Sequence, residues 1–190
     1  GIVQAVLSVV RDVTEQRRAD RRQALQHAVA KVLAGASTVE QAVPDLLQAL
    51  VVSLDWHVGL FWRVHEDRRA IVCAQDWSVD ATVGQEFVSR RRQATCAAGS
   101  DLPGHCWARG EPLWVEDVAR ASMVTRGPVE ATGMLYAACA FPIWLRANVY
   151  GVIELFSSEP QAEDWDLLRT LSTVGRQIGL FVERTEVEAA

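Results

Sequence analysis

Residues 101–117 read DLPGHCWARGEPLWVED, where His105 abuts Cys106 and two tryptophans, Trp107 and Trp114, flank a Gly-Glu-Pro turn. An imidazole beside a thiol could be a nucleophile with its base, a pair of metal ligands or an anchor for a chromophore. Helical geometry tells against a shared ion, because adjacent residues on a helix point about 100° apart. A thiol turned inward behaves instead as a small apolar group. The pair is therefore read as part of a pocket wall, with Cys106 or Trp107, or both, facing inward and His105 partly wet.

Two carboxylates are also candidates. Asp117 ends a predicted strand before an irregular segment, where it can hold a loop or a ligand. Glu154 shares a strand face with Val152 and Phe156, and a lone carboxylate there needs a partner or water. Trp77, Cys139 and Phe141 complete the expected ligand-binding set, since aromatic walls suit flat or apolar ligands.

Bulk properties narrow the classes. The chain has 190 residues, 49% hydrophobic and 23% charged, which suits one globular domain with an extra segment. The net charge is −5, and acidic residues interleave the first of two arginine clusters, Arg17/Arg18/Arg21/Arg22 and Arg90/Arg91/Arg92. Both clusters are read as solvated helix faces, so nucleic acid is not an expected partner. The four cysteines lack C-x-x-C spacing, which argues against a zinc knuckle and a disulfide framework. With no signal peptide pattern and no apolar stretch of spanning length, a cytoplasmic location without membrane insertion is expected.

The elements follow from periodicity. Residues 2–10, rich in Val and Ile, favour a strand. A helix is predicted over 15–34, ending at Gly35, and a second one follows Ser37 and Thr38. HVGLFWRV and AIVCAQDW read as a hairpin with Val58, Leu60, Trp62 and Val64 on one face. A helical stretch around 86–94, the short helix of His105 and the strand EPLWVEDV come next. The strands LYAACAFPIWL and NVYGVIELFS precede a final helix. In that helix Leu167, Leu171, Val174, Ile178 and Phe181 form a coiled-coil-type seam beside a stripe of Leu168, Gly175, Gly179 and Val182. One stripe can pack on the sheet while the other meets another helix.

Two resemblances follow from these residues. VLSVVRDVTEQRRA resembles the last strand and exit linker of a PAS domain, which implies that residues 1–14 are the remnant of an upstream PAS domain and 15–34 a signalling helix. Residues 35–187, with Pro103-Gly104, Gly110, Pro112, Asp117, Pro142-Ile143 and Gly151–Ile153, resemble a GAF domain. That likeness implies an α+β, profilin-like fold: a central antiparallel sheet with terminal helices on one face and a ligand-pocket roof, residues 83–134, on the other. It implies a regulatory domain of a bacterial signalling protein, such as a sensor histidine kinase of a two-component system, and no enzyme activity of its own. A small molecule under the roof would shift its packing, and terminal helices paired across a homodimer would relay the shift.

Family chemistries can be checked letter by letter. In photoreceptor relatives the bilin-anchoring cysteine commonly lies just before CAFPIW, but RGPVEATGMLYA there contains no cysteine. The Asn-Lys-Phe-Asp-Glu signature of cyclic-nucleotide-binding relatives needs an Asn before a Lys, yet the only lysine, Lys31, precedes the only asparagine, Asn148. Relatives that reduce free methionine sulfoxide carry their catalytic cysteine after Asp117, and residues 118–135 contain none. No cofactor is named by the sequence. The remaining alternatives are a ligand-free dimerisation and spacer module, a thiol redox sensor using Cys106 or Cys139, and a reductase-like enzyme.

Overall fold

The computed structural model describes residues 2–65, 67, 69–80, 85–121 and 135–188, with side chains from residue 15 onward. The helices are α1 (Ile2–Gly35), α2 (Val39–Leu54), α3 (Gln85–Arg92), α4 (Asp101–Arg109) and α5 (Trp165–Glu188). The strands are β1 (Val58–Val64), β2 (Ile71–Ser78), β3 (Thr95–Cys96), β4 (Leu113–Val115), β5 (Ala137–Leu145) and β6 (Asn148–Ser157). Six strands pair in the order β3-β2-β1-β6-β5-β4, each antiparallel to its neighbours. The expected α+β architecture is therefore present.

The sheet is covered on both faces, which is why its central strands are apolar on both faces. On one side Phe61, Cys139, Phe141, Ile143, Ile153 and Leu155 join the buried faces of α1, α2 and α5. On the other, Leu60, Trp62, Ala138, Ala140, Val152 and Phe156 meet α3, α4 and β4. We call these the helix face and the roof face. Val58, Leu60 and Trp62 do share one face, the roof face, as their alternation predicts.

Local chemistry explains the ends. Thr38 caps α2 by accepting from the Gln41 N–H, and Asp55 closes it in a left-handed conformation at φ 59°. Pro44 lies in the second turn and does not split α2, which runs on to Leu54.

The final helix uses both of its stripes within one protomer. Leu167, Leu171, Val174, Ile178 and Phe181 are buried with α1 and α2 side chains. The glycine stripe rests directly on β5: a Cβ at Gly175 would fall 2.1 Å from the Pro142 carbonyl oxygen, and one at Gly179 would fall 1.7 Å from that of Trp144. Both stripes are buried within the protomer, and the large apolar side chains that α5 leaves exposed are Trp165, Leu180 and Val187.

The segment expected as a strand, residues 2–10, is helical and continuous with the rest of α1. A strand needs a neighbour for its N–H and C=O groups, whereas a helix satisfies them within the segment. Parts of the expected roof, residues 83–84 and 122–134, lie outside the described residues, as does residue 1 of the expected N-terminal remnant.

Candidate functional site

Beneath α3 and α4 the roof face holds one buried charge cluster. Glu154 in β6 lies between Leu60 of β1 and Ala140 of β5 in register, and its side chain is fully buried. The Trp62 indole N–H donates to Glu154 Oε2 at 2.9 Å. Arg91 donates through Nη2 to Oε1 at 2.6 Å. The guanidinium carbon of Arg91 sits 5.3 Å from the Trp62 ring centroid and 5.1 Å from that of Phe87. Two aromatic faces and a carboxylate thus hold one arginine inside the core.

Arg91 corrects an expectation. Read as part of a solvated cluster, it is instead buried, with its side chain 8% exposed. Its neighbours behave as expected: Arg90 pairs with Glu86 and Arg92 with Asp76, and both arginines are exposed. The signal was present in QEFVSRRR, because Phe87, Val88 and Arg91 share the buried side of α3. A carboxylate on an apolar strand face also demanded a partner of this kind.

The cluster is electrostatically unfinished. Arg91 Nε is buried and has no hydrogen-bond partner among the described residues. An unsatisfied buried donor costs about 1–3 kcal/mol, and more for a charged group. Burial pushes the Glu154 carboxyl above its ordinary pKa, while Arg91 and the Trp62 bond pull it back in part and nearby Asp101 adds to the rise.

The other expected site residues separate into groups. Cys106 of α4 is fully buried in the roof core, and Trp107 packs against the same core, half-exposed. His105 beside them stays partly exposed, as the wall reading requires. Asp117 does not join Glu154. Its Oδ1 accepts from the Ala119 N–H at 3.0 Å and its Oδ2 pairs with Arg120 at 3.2 Å, so it holds its own turn.

Trp77, Cys139 and Phe141 lie on the helix face, across the sheet from Glu154. For Cys139 and Phe141 the reason is parity: Ala140, the β5 residue opposite Glu154, points to the roof, so both its neighbours point away. For Trp77 a register shift between Phe61 and Trp62 places Ala74 outside the β1–β2 pairing, so Cys73 faces the roof and Trp77 the helices.

All four cysteines are free. Burial raises every one of their thiols, Cys73 and Cys96 to about 12, and Cys106 and Cys139 well above the ordinary value. A thiol held protonated at neutral pH is a poor nucleophile. Among the described residues there is no His/Cys/Asp/Glu group able to hold a metal ion.

A second set of contacts joins the roof to the terminal helices. Edge strand β4 sends Val115 into the roof core and Trp114 to the helix face. There Trp114 meets Trp56 edge-on at 5.4 Å, and its indole N–H donates to the Gln161 carbonyl at 3.1 Å. Next to it Glu116 accepts from the Glu163 N–H at 3.0 Å. Asp164 caps α5 through the Leu167 N–H and lies 3.7 Å from Arg22 of α1.

The family profile described as GAF domain matches residues 36–183. The chain belongs to the GAF domain family. Solved GAF structures agree in fold. The GAF domain of a phosphoenolpyruvate-protein phosphotransferase from Coxiella burnetii superposes with a TM-score of 0.73 at 12% identity, over 90% of this chain and 97% of that one. Free methionine-R-sulfoxide reductase from Neisseria meningitidis, solved with its substrate, gives 0.71 at 16% identity, over 90% and 92%. JSC1_58120g3 with bound biliverdin gives 0.64 at 14%, over 86% and 99%. None of the curated proteins compared matches this chain. GAF domains are a family of ligand-binding signalling domains, and identities this low speak for the fold alone. Among the described residues no helix of this GAF domain is long and apolar enough to cross a membrane.

Proposed function

We propose that this GAF domain is a sensory module that takes a small molecule on its roof face and relays occupancy through α1 and α5. One observation carries the reading: the roof core keeps a charged, aromatic-clamped arginine with a buried N–H that no described residue satisfies. A core built only for stability gains by replacing such a pair with apolar side chains. Trp62, Arg91, Glu154 and Cys106, with Trp107 at the rim, are the residues assigned to it; Asp117 positions the adjoining turn.

The relay follows the β4 contacts. A ligand that repacks the roof displaces Val115, and with it Trp114 and Glu116, whose hydrogen bonds pull on residues 161–163 and hence on the start of α5. Arg22 carries the same displacement to α1 through Asp164 and Asp166. In a signalling protein of the histidine kinase type the two helices would pass it between a preceding PAS domain and an output module, across a homodimer. On this reading the domain has no catalytic step of its own, and the raised thiols support that.

A ligand-free dimerisation module is the second reading. Its support is a groove of about 700 Å³ on the outer side of α1 and α2, with Ala28, Val32, Ala49 and the exposed Val52 between Lys31 and Asp45. Native mass spectrometry of the purified domain, followed by a metabolite library read by thermal shift, separates the two. A retained or stabilising compound supports sensing. An intact dimer with no stabilising compound supports the spacer.

A further inference from the structure

The chemistry around Arg91 points to a class of ligand, and the inference rests on the sensing reading above. Arg91 is already neutralised by Glu154, which accepts at both oxygens from Arg91 and Trp62. The groups near that carboxylate are Asp101 of α4, Arg91 of α3, Cys106 of α4, Cys139 of β5, and Cys73 and Cys96 of β2 and β3. The thiols stay neutral, so the fixed charges are one cation against two carboxylates. An incoming anion would meet Glu154 and Asp101 at low dielectric, where like charges are costly. An incoming cation placed at Nε would face the Arg91 guanidinium itself, which presents it a donor and no acceptor.

What the site offers, among the described residues, is one unsatisfied donor, Arg91 Nε–H, set among apolar and aromatic side chains. Phe87 lies edge-on to Phe156 at 4.9 Å, and Leu60, Val152 and Cys106 fill the same core. A donor without a partner selects for an acceptor, and a site built this way rejects analogues that lack one. We infer that the roof-face site takes an uncharged, apolar molecule that presents a single carbonyl-type acceptor to Arg91 Nε–H, and that Glu154 acts as the filter that keeps anions out. The pair is then a specificity device: Arg91 reads the acceptor, and Glu154 cancels the charge that would otherwise draw carboxylates and phosphates.

Three probes of one shape test this: benzamide, benzoate and benzylamine, titrated at pH 7.5 and followed by ligand-observed NMR. Wild type is expected to bind benzamide at millimolar concentration, with benzoate at least about tenfold weaker. Glu154→Gln removes the filter while keeping a hydrogen-bonding side chain, and is expected to close most of the gap by strengthening benzoate about tenfold. Arg91→Lys keeps the ion pair and loses the Nε–H, so benzamide binding should fall while near-ultraviolet circular dichroism stays native. The inference is overturned if wild type prefers benzoate or benzylamine, if it binds none of the three, if Glu154→Gln leaves benzoate as far below benzamide as in wild type, or if Arg91→Lys binds benzamide as wild type does. Unfolding of Glu154→Gln leaves the Arg91→Lys comparison to decide. A library hit that is charged or lacks an acceptor would sink this inference and leave the sensing reading standing.

Discussion

Replacing Arg91 by Met, which keeps length and apolar packing, tests how the charge cluster is held. Glu154 is fully buried and the Arg91 side chain is 8% exposed, so solvent screens the pair little. Removing one partner of such a pair costs about 3–5 kcal/mol. Without Arg91 the buried Glu154 carboxyl is driven further toward its protonated form, a cost that grows as pH rises above the ordinary carboxyl range.

The sign follows from linkage. Burial already raises the folded-state pKa of Glu154, and losing Arg91 removes the first of the influences that lower it. The unfolded chain then releases its proton first, so stability is full below the unfolded pKa and is lost as pH rises toward the folded one. Urea unfolding read by tryptophan fluorescence should therefore show a penalty for Arg91→Met that is small near pH 5 and grows toward neutrality. Arg91→Met with Glu154→Leu should recover most of it, because two apolar residues replace the pair. A penalty below about 1 kcal/mol at pH 7, independent of pH, or a double variant whose loss is the sum of the singles, would refute the coupling.

Other consequences are independent of that pair. Gly179→Ala should lift α5 from β5 and cost about 1–3 kcal/mol, seen as a lower melting temperature and faster amide exchange in β5; an unchanged melting temperature contradicts the contact. With Cys73 and Cys96 raised to about 12, native protein at pH 8 should label with iodoacetamide far more slowly than free cysteine, and all four thiols should react at once in denaturant. Rapid labelling of the native form would revive thiol chemistry. Trp114→Phe, which loses the bond to Gln161 but keeps the ring, should cost about 0.5–1.5 kcal/mol and loosen the start of α5 in hydrogen exchange. Protection there equal to wild type would remove β4 from the relay.

Much of this arrangement was legible in the letters. The alternation of β1, the shared face of Val152, Glu154 and Phe156, and the seam of α5 all follow from period alone, because each element mixes polar with apolar positions. LYAACAFPIWL does not mix them. Both faces of β5 are buried, so no polar residue marks which side Cys139 and Phe141 occupy. Trp77 depended on a bulge, which shifts parity without a sequence mark. Arg91 is hidden by its neighbours: three arginines in a row read as a wet face, although Phe87 and Val88 put Arg91 on the buried side of α3. Residues 2–10 show the limit of propensity, since Val and Ile favour a strand only where a sheet edge is offered.

The central claim concerns one atom group, and nitrogen-15 NMR of arginine side chains observes it directly. Arg91 Hε should give a resonance that is missing in Arg91→Lys and slow to exchange, as befits a buried N–H. On titration with benzamide that resonance should move saturably downfield, with the Trp62 indole signal following. If it stays fixed while the probe shifts only residues along α1 and α2, the roof face is not the binding site and the sensing account fails.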